Sequence, residues 1–401
     1  KIVTGEDGTA ATTYDYPTGY VYEVKELTSP IGYGNKHDTK KVDASEIKGN
    51  SESQDYTLKY TDKHTSIAGT KAAEYKTGDN QGAYDENFVY RIIDSVDCRD
   101  LVVGEEYTIK GMLKDKATGL PFVDMDGNTV TGETTFTAET EDQIVNVEFN
   151  FKANLEGLSV VVAERLYQQG VEIFVHDDLE DKDQTIDYLK LRTKAHDKDT
   201  LTNVGTVSDK ASIVDEVTFN NLRVGNPYEV RGYLMNKDTG VELLDKDGNK
   251  ITATKTFTAE APNQTVEMEF TLDSSLLEGV TATVFEDVYY NGVRVGSHCD
   301  ITDADQSIFF PKIRTSAADG NTNSHVGVVG GKSTIIDTVT YTNLIVGKTY
   351  TVSGYLMNQD TNTAILDKDG NKITSSRTFT AATANGSIDI TFEFDSSDME
   401  G

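Results

Sequence analysis

The chain repeats itself, and the length of the repeat decides what it can fold into. The run from Val103 through Leu113 (Val-Gly-Glu-Glu-Tyr-Thr-Ile-Lys-Gly-Met-Leu) returns from Val224 and again from Val346. Gly104, Gly225 and Gly347 mark the same point, 121 and 122 residues apart. Asp126-Gly127-Asn128 returns as Asp247-Gly248-Asn249 and Asp369-Gly370-Asn371, each followed by a Thr-Phe-Thr-Ala run at Thr135, Thr256 and Thr378. A unit of about 120 residues is a domain, not one turn of a solenoid. The expected organisation is therefore 1–64 outside the repeat, then copies at 65–188, 189–310 and 311–401.

Within a copy the signals are those of strands. Tyr228, Val230, Gly232 and Leu234 alternate with Glu229, Arg231 and Tyr233, the period of a half-buried strand. Asp-Gly-Asn between two such runs predicts a hairpin turn. The EF-hand alternative fails, because both flanks are strand-like and the twelfth position counted from Asp245 is Thr256, not a bidentate Glu. No amphipathic helix stands out. The predicted fold class is all-β: tandem immunoglobulin-like antiparallel β-sandwich domains arranged as a rod. Thr193 stands only nine positions after Gln184, and Thr315 nine after Gln306, so the connections are short.

Charge excludes whole classes of partner. Lys and Arg number 37 against 67 Asp and Glu, a net charge of −30, which repels nucleic acid and anionic membrane surfaces. No window approaches 18 continuous apolar residues, so no membrane insertion is expected. The two cysteines, Cys98 and Cys299, fall at non-equivalent places in the repeat, which argues against a disulfide. Cys98 stands where the later copies have Phe219 and Tyr341 and is expected to be a small buried hydrophobe. The chain opens at Lys1 and stops in mid-pattern at Gly401, as a piece of a longer precursor would.

Strand parity places carboxylates on the wrong face. Ile213, Asp215, Val217 and Phe219 share one side of a strand, as do Ile92, Asp94, Val96 and Cys98, and Ile335, Asp337, Val339 and Tyr341. Further on, Glu286 shares a side with Val280, Ala282, Val284 and Val288, and Glu164 with Leu158, Val160, Val162 and Leu166. A lone ionised carboxylate in a core is costly, so each must be paired, hydrogen-bonded or protonated. Two that meet can share a proton and form a dry hydrogen-bond donor.

Two further features recur in register. His176, Asp181 and Gln184 match His298, Asp303 and Gln306. At the front of each copy stand Thr70, Thr193 and Thr315, each with small or apolar neighbours on its own side. His37, His64, His196 and His325 have no counterparts in register and read as surface residues. The aspartates Asp178, Asp181, Asp183 and Asp300, Asp303, Asp305 lie near the domain junctions, where oxygen donors could take Ca²⁺. A solvated acidic surface is the plainer reading of them.

The run Val284-Phe285-Glu286, the His-x-Asp-Ile-x-Asp-x-Asp-Gln run from His298 and the Asp-x-Val-x-Phe/Tyr run resemble the VaFE-repeat, Thr–Gln ester-bond domains of Gram-positive cell-surface adhesins. The resemblance spans roughly residues 65–401. It implies esters between Thr70 and Gln184 and between Thr193 and Gln306. Asp94 with Glu164, and Asp215 with Glu286, would be the carboxyl pairs, with His176 and His298 as bases oriented by Asp181 and Asp303. Chemistry agrees with those roles: a hydroxyl needs a base, and the carboxamide oxygen needs a donor, which the carboxyl pair would supply. The third copy has Thr315 and Asp337 but ends before any Glu, His or Gln, so no ester and an open-edged, incomplete sandwich are expected. The first copy carries two extra residues between Thr70 and Asp94.

Tyr22-Glu23-Val24-Lys25-Glu26 with Ser29-Pro30-Ile31-Gly32-Tyr33 resembles the closing box of a prealbumin-like, collagen-adhesin B-type domain, whose Glu (here Glu26) assists an isopeptide bond. Residues 36–64 read as a frayed end or linker. The resemblances imply the stalk of a cell-wall-anchored adhesin or pilus-like protein outside the cell. Its ligand-binding head and peptidoglycan anchor would lie outside this piece, and it would have no cofactor, no metal and no turnover activity. A Ca²⁺- or carbohydrate-binding accessory module of a secreted protein is the alternative.

Overall fold

The computed structural model describes residues 1–6, 8–34, 39–45 and 55–399. The chain divides into two compact units, Lys1–Asp187 and Tyr188–Gly401. Both are built from antiparallel sheets, and the sole helical element among the described residues is one 3-10 turn at Ser274–Leu277.

The second unit shows the design. Alternation of large apolar and polar residues gives the strands one buried side each, and two sheets close on those sides. One sheet runs Lys190–Asp197, Ala211–Asn220, Gln264–Leu272. The other runs Thr252–Thr258, Pro227–Asn236, Thr281–Tyr290, Val293–His298, with Ser307–Phe309 also pairing to Thr281–Tyr290. Phe219, Phe270, Tyr228, Val284, Val288 and Phe310 fill the space between them. The Asp-Gly-Asn segment is the expected turn: Gly248 takes a φ of +82°, and Asp245 accepts from the backbone of both Asp247 and Asn249.

The first unit repeats this arrangement strand for strand, from Ser66–Glu74 to Thr185–Asp187. Its two extra residues do not disturb the register. Thr70 pairs with Val96 and Ala72 with Asp94, as Thr193 pairs with Val217 and Ala195 with Asp215. The insertion is absorbed in the loop beyond Glu74. Cys98 is fully buried, and burial pushes its thiol up to about 12; Cys299 is exposed.

Ahead of that sandwich the segment expected to be a linker is partly ordered. Thr39–Asp43 pairs with Val21–Lys25, and Lys63–His64 with Tyr33–Gly34. The amide of Gly32 donates to the buried Gln168 Oε1 at 2.8 Å, which anchors the segment on the sandwich. Glu26 is half-buried just after the first of these strands. His64 and His325 are exposed as expected, His196 is half-buried, and His37 lies outside the described residues.

The third copy is a partial sandwich. It has the sheet Lys312–Asp319, Ser333–Thr342, Gly386–Phe394 and the pair Thr349–Tyr355 with Thr374–Thr380. Counterparts of Thr281–Tyr290, Val293–His298 and Ser307–Phe309 do not occur among the described residues; Gly401 itself lies outside them. The joint between second and third copies is closed by one side chain. Asn343 Nδ2 donates to the carbonyls of Val280 (2.8 Å) and Phe310 (3.1 Å), and its Oδ1 accepts from Thr281 at 2.9 Å.

Candidate functional site

In each complete domain the first strand, the second strand and the Gln-bearing segment bring their odd residues into one dry place. Thr70 and Thr193 are 8% and 9% exposed, and Asp94, Glu164, Gln184, Asp215, Glu286 and Gln306 are all at 0%. Backbone hydrogen bonds set the geometry. Ala72, two residues past Thr70 on the same side, donates to Asp183 O at 2.9 Å, and Val162 donates to Gln184 O at 3.1 Å. Ala195 to Asp305 (2.9 Å) and Val284 to Gln306 (3.0 Å) are the same bonds in the second domain. Gln184 and Gln306 are therefore held against the Thr strand on one side and the Glu strand on the other.

The side chains meet in the same order twice. Gln184 Nε2 donates to Asp94 Oδ1 at 2.9 Å, and Gln306 Nε2 to Asp215 Oδ1 at 3.1 Å. Burial and the neighbouring Asp charge push Glu164 up to about 11, and the same causes raise Glu286 well above the usual range. Asp94 and Asp215 are raised too, by burial, with hydrogen bonds from the Glu and Gln side chains opposing that rise. Burial therefore favours the protonated form of the Glu, beside an Asp that accepts from the carboxamide. Thr70 Oγ1, Gln184 Oε1, Thr193 Oγ1 and Gln306 Oε1 are buried without a hydrogen-bond partner among the described residues, as are Oδ2 of Asp94 and Asp215 and both carboxyl oxygens of Glu164 and Glu286. A hydroxyl and a carbonyl left so in a core are unusual in a finished structure, and they are the two groups an ester would join.

One expectation changes here. The sequence pointed the carboxyl pair at the carboxamide oxygen; in both domains the pair instead meets the nitrogen, because Nε2 is the atom bonded to the Asp. The pair thus stands beside the leaving group.

His176 pairs across the strands with Glu164, and His298 with Glu286. Their Nε2 atoms lie 3.0 and 2.9 Å from Asp181 Oδ2 and Asp303 Oδ2. Of the other junction aspartates, Asp178 accepts from the Glu180 amide and Asp300 from Thr302, while the amides of Asp183 and Asp305 donate to Asp181 and Asp303. Among the described residues no group of three or more His, Cys, Asp or Glu is placed to hold a metal ion. In the third copy Thr315 is exposed and Asp337 is half-exposed.

Some residues of the site gave no signal in the sequence. Gly111 and Gly232 lie opposite Glu164 and Glu286, where a Cβ would come within 2.4 Å of Phe149 Cζ and of Met268 Cε. Lys116 Nζ and Lys237 Nζ reach the hydroxyl next to each Gln, Thr185 Oγ1 at 3.1 Å and Ser307 Oγ at 2.7 Å. Those hydroxyls donate at 2.6 Å to the carbonyls of Asp181 and Asp303, tying the His-orienting loop to the Gln. Their recurrence in both copies was the available clue.

Among similar solved structures is an adhesin from Mobiluncus mulieris containing intramolecular disulfide, isopeptide and ester bond cross-links. It is 14% identical, covers 64% of this chain and 88% of its own, and has a TM-score of 0.27. The C-terminal domain of the Streptococcus agalactiae AgI/II polypeptide BspA is 10% identical, with 58% and 98% covered and a TM-score of 0.28. No curated protein matches the sequence. The family model for the T-Q ester bond containing domain matches residues 61–188, 189–310 and 311–401, and with most of its length so covered the chain belongs to that family.

Proposed function

We propose that this chain is a load-bearing stalk segment of a bacterial surface adhesin, anchored to a Gram-positive cell wall, in which two domains seal themselves by esters from Thr70 to Gln184 and from Thr193 to Gln306. The observation that carries the reading is the repeated burial, in one register, of a partnerless Thr hydroxyl, a partnerless Gln carbonyl and an Asp–Glu carboxyl pair. Such a chain acts once on each site and has no turnover.

The reaction is an amide-to-ester exchange. His298, oriented by Asp303, takes the proton of Thr193 Oγ1 as that oxygen attacks the Gln306 carbonyl carbon. The carbon–nitrogen bond then breaks, and Nε2, already bonded to Asp215, takes a proton from the Asp215–Glu286 pair and leaves as ammonia. The imidazolium returns its proton to the pair, so no net acid or base is consumed. Fixing both reactants in a folded core supplies a high effective molarity, and full burial of Gln306 keeps water from the product. The bond closes a loop of more than a hundred residues, worth on the order of 4–5 kcal/mol if it constrains the unfolded chain as a disulfide does. A pull on the domain's ends then loads a covalent bond in place of a ladder of hydrogen bonds.

Intact mass tests the proposal. The chain is expected to weigh two ammonia less than its sequence, and Thr193→Ala one ammonia less. Unmodified mass with a Ca²⁺-dependent melting temperature would instead establish the binding-module alternative.

A further inference from the structure

Asn80 and Asn203 stand ten residues after Thr70 and Thr193, before the point where the loops differ in length. Asn80 is 4% exposed. Its Nδ2 lies within hydrogen-bond distance of three carbonyls: Ala72 at 2.9 Å, Asp183 at 3.0 Å and Thr185 at 3.0 Å. Asn203 Nδ2 reaches Ala195 O at 3.3 Å and Ser307 O at 2.9 Å. In both domains the backbone of this residue also pairs with the last strand. Asp187 N donates to Asn80 O at 3.0 Å, and Phe309 N to Asn203 O at 2.8 Å.

These contacts bracket the reacting groups. Ala72 lies two residues beyond the nucleophile, and Asp183 and Thr185 flank Gln184 on both sides. The Thr strand and the Gln segment belong to different sheets, so no continuous ladder fixes one against the other. A backbone bond from Ala72 to Asp183 joins them at this level. The Asn carboxamide adds side-chain bonds to both segments beside it. Being planar, short and non-ionisable, it does so at any pH. The third copy carries His325 at the matching place, exposed.

We propose that Asn80 and Asn203 are positioning residues for ester formation, each holding its hydroxyl strand and its Gln segment in reacting register. This rests on the cross-linking function above. A misplacement of about 1 Å costs a reaction of this kind on the order of 100-fold, so losing the brace should slow closure at least tenfold.

The test uses the full chain made by cell-free translation, moved promptly into buffers spanning the neutral range. Ammonia loss is followed by intact mass, with each domain's share read from its proteolytic fragments. The parent chain is the control: if it loses no ammonia, the cross-linking function itself fails, and not this inference alone. With the parent closing normally, Asn203→Ala is expected to slow closure of the second domain at least tenfold at every pH. The first domain should stay unchanged, and so should the midpoint of the rate–pH curve. Asn80→Ala should show the mirror image. An unchanged rate, or a shifted midpoint at unchanged plateau, overturns the proposal. Because a loop anchor could also act by unfolding the domain, circular dichroism accompanies each reaction. If Asn203→Ala is unfolded, Asn203→Ser, which keeps one donor, replaces it and must close at an intermediate rate; parent-like closure by that variant also overturns the assignment.

Discussion

Glu286 lies directly opposite His298 in the antiparallel strand pair, and Glu164 holds the same position opposite His176. An acid that keeps its proton and a base that can take one thus sit side by side, the first sealed from water and the second a quarter exposed. In solution two such groups would simply exchange the proton. Burial keeps the Glu from giving it up, and Asp303 Oδ2 lies 2.9 Å from Nε2 of the ring.

Removing the base should stop closure without unfolding the domain. His298→Ala is predicted to lower the rate of ammonia loss from the second domain by about 10²–10⁴-fold, with the first domain unaffected. Asp303→Asn should give a smaller loss. Fragment masses over time check both, and closure of His298→Ala at the parental rate would contradict the role.

Before it closes, the site should make the domain sensitive to alkali. The native domain holds a proton on Glu286 that the unfolded chain releases above about 4.5. Above that pH the native state therefore keeps a proton that the unfolded chain has lost, and this contribution to stability falls as pH rises. In Thr193→Ala, which cannot close, the melting temperature of the second domain should decline steadily as pH is raised above that value. Thr193→Ala with Glu286→Gln should lose most of that slope. A flat profile in the single variant would show that the Glu is not buried as a neutral acid.

Gly232 is required by space. Its backbone is not in the left-handed region, but a Cβ would meet Met268 Cε at 2.4 Å and Phe270 Cζ at 2.6 Å. Gly232→Ala should cost about 1–3 kcal/mol in chemical denaturation by overpacking. Gly248→Ala acts instead through its φ of +82°, with nothing within 4 Å of the added carbon, and should cost about 1 kcal/mol.

The two cysteines should separate cleanly by reactivity. A maleimide is expected to add once to the native chain, at exposed Cys299, and twice after denaturation, when Cys98 leaves the core. Two additions to the native chain would place Cys98 at the surface.

Much of this was legible from parity and recurrence. Asp215 and Glu286 announced themselves because each broke an apolar side that was otherwise unbroken, and Thr193 and Gln306 because they kept step with a second copy. What stayed hidden were residues whose type suits a loop or a surface anyway. Asn203 looks like any turn asparagine, and Lys237 like any solvated lysine. Gly232 fitted the alternation without revealing how near the other sheet comes. Thr39–Asp43 gives no strand signal in the sequence because Val42 is its lone apolar residue, and a two-stranded ribbon leaves no hydrophobic period to find. The direction of the carboxamide was beyond sequence altogether, since either of its ends could have faced the acids.

Asn343 has a consequence for how tension would travel. Its amide grips Val280 and Phe310, and Thr281 grips it in return, so the third copy hangs from the start of the strand that carries Glu286 and from the end of the segment that carries Gln306. Both handles belong to the part of the second domain that the ester would lock to its opening strand. With the proposed ester in place, force entering at that joint would be delivered to material stitched shut.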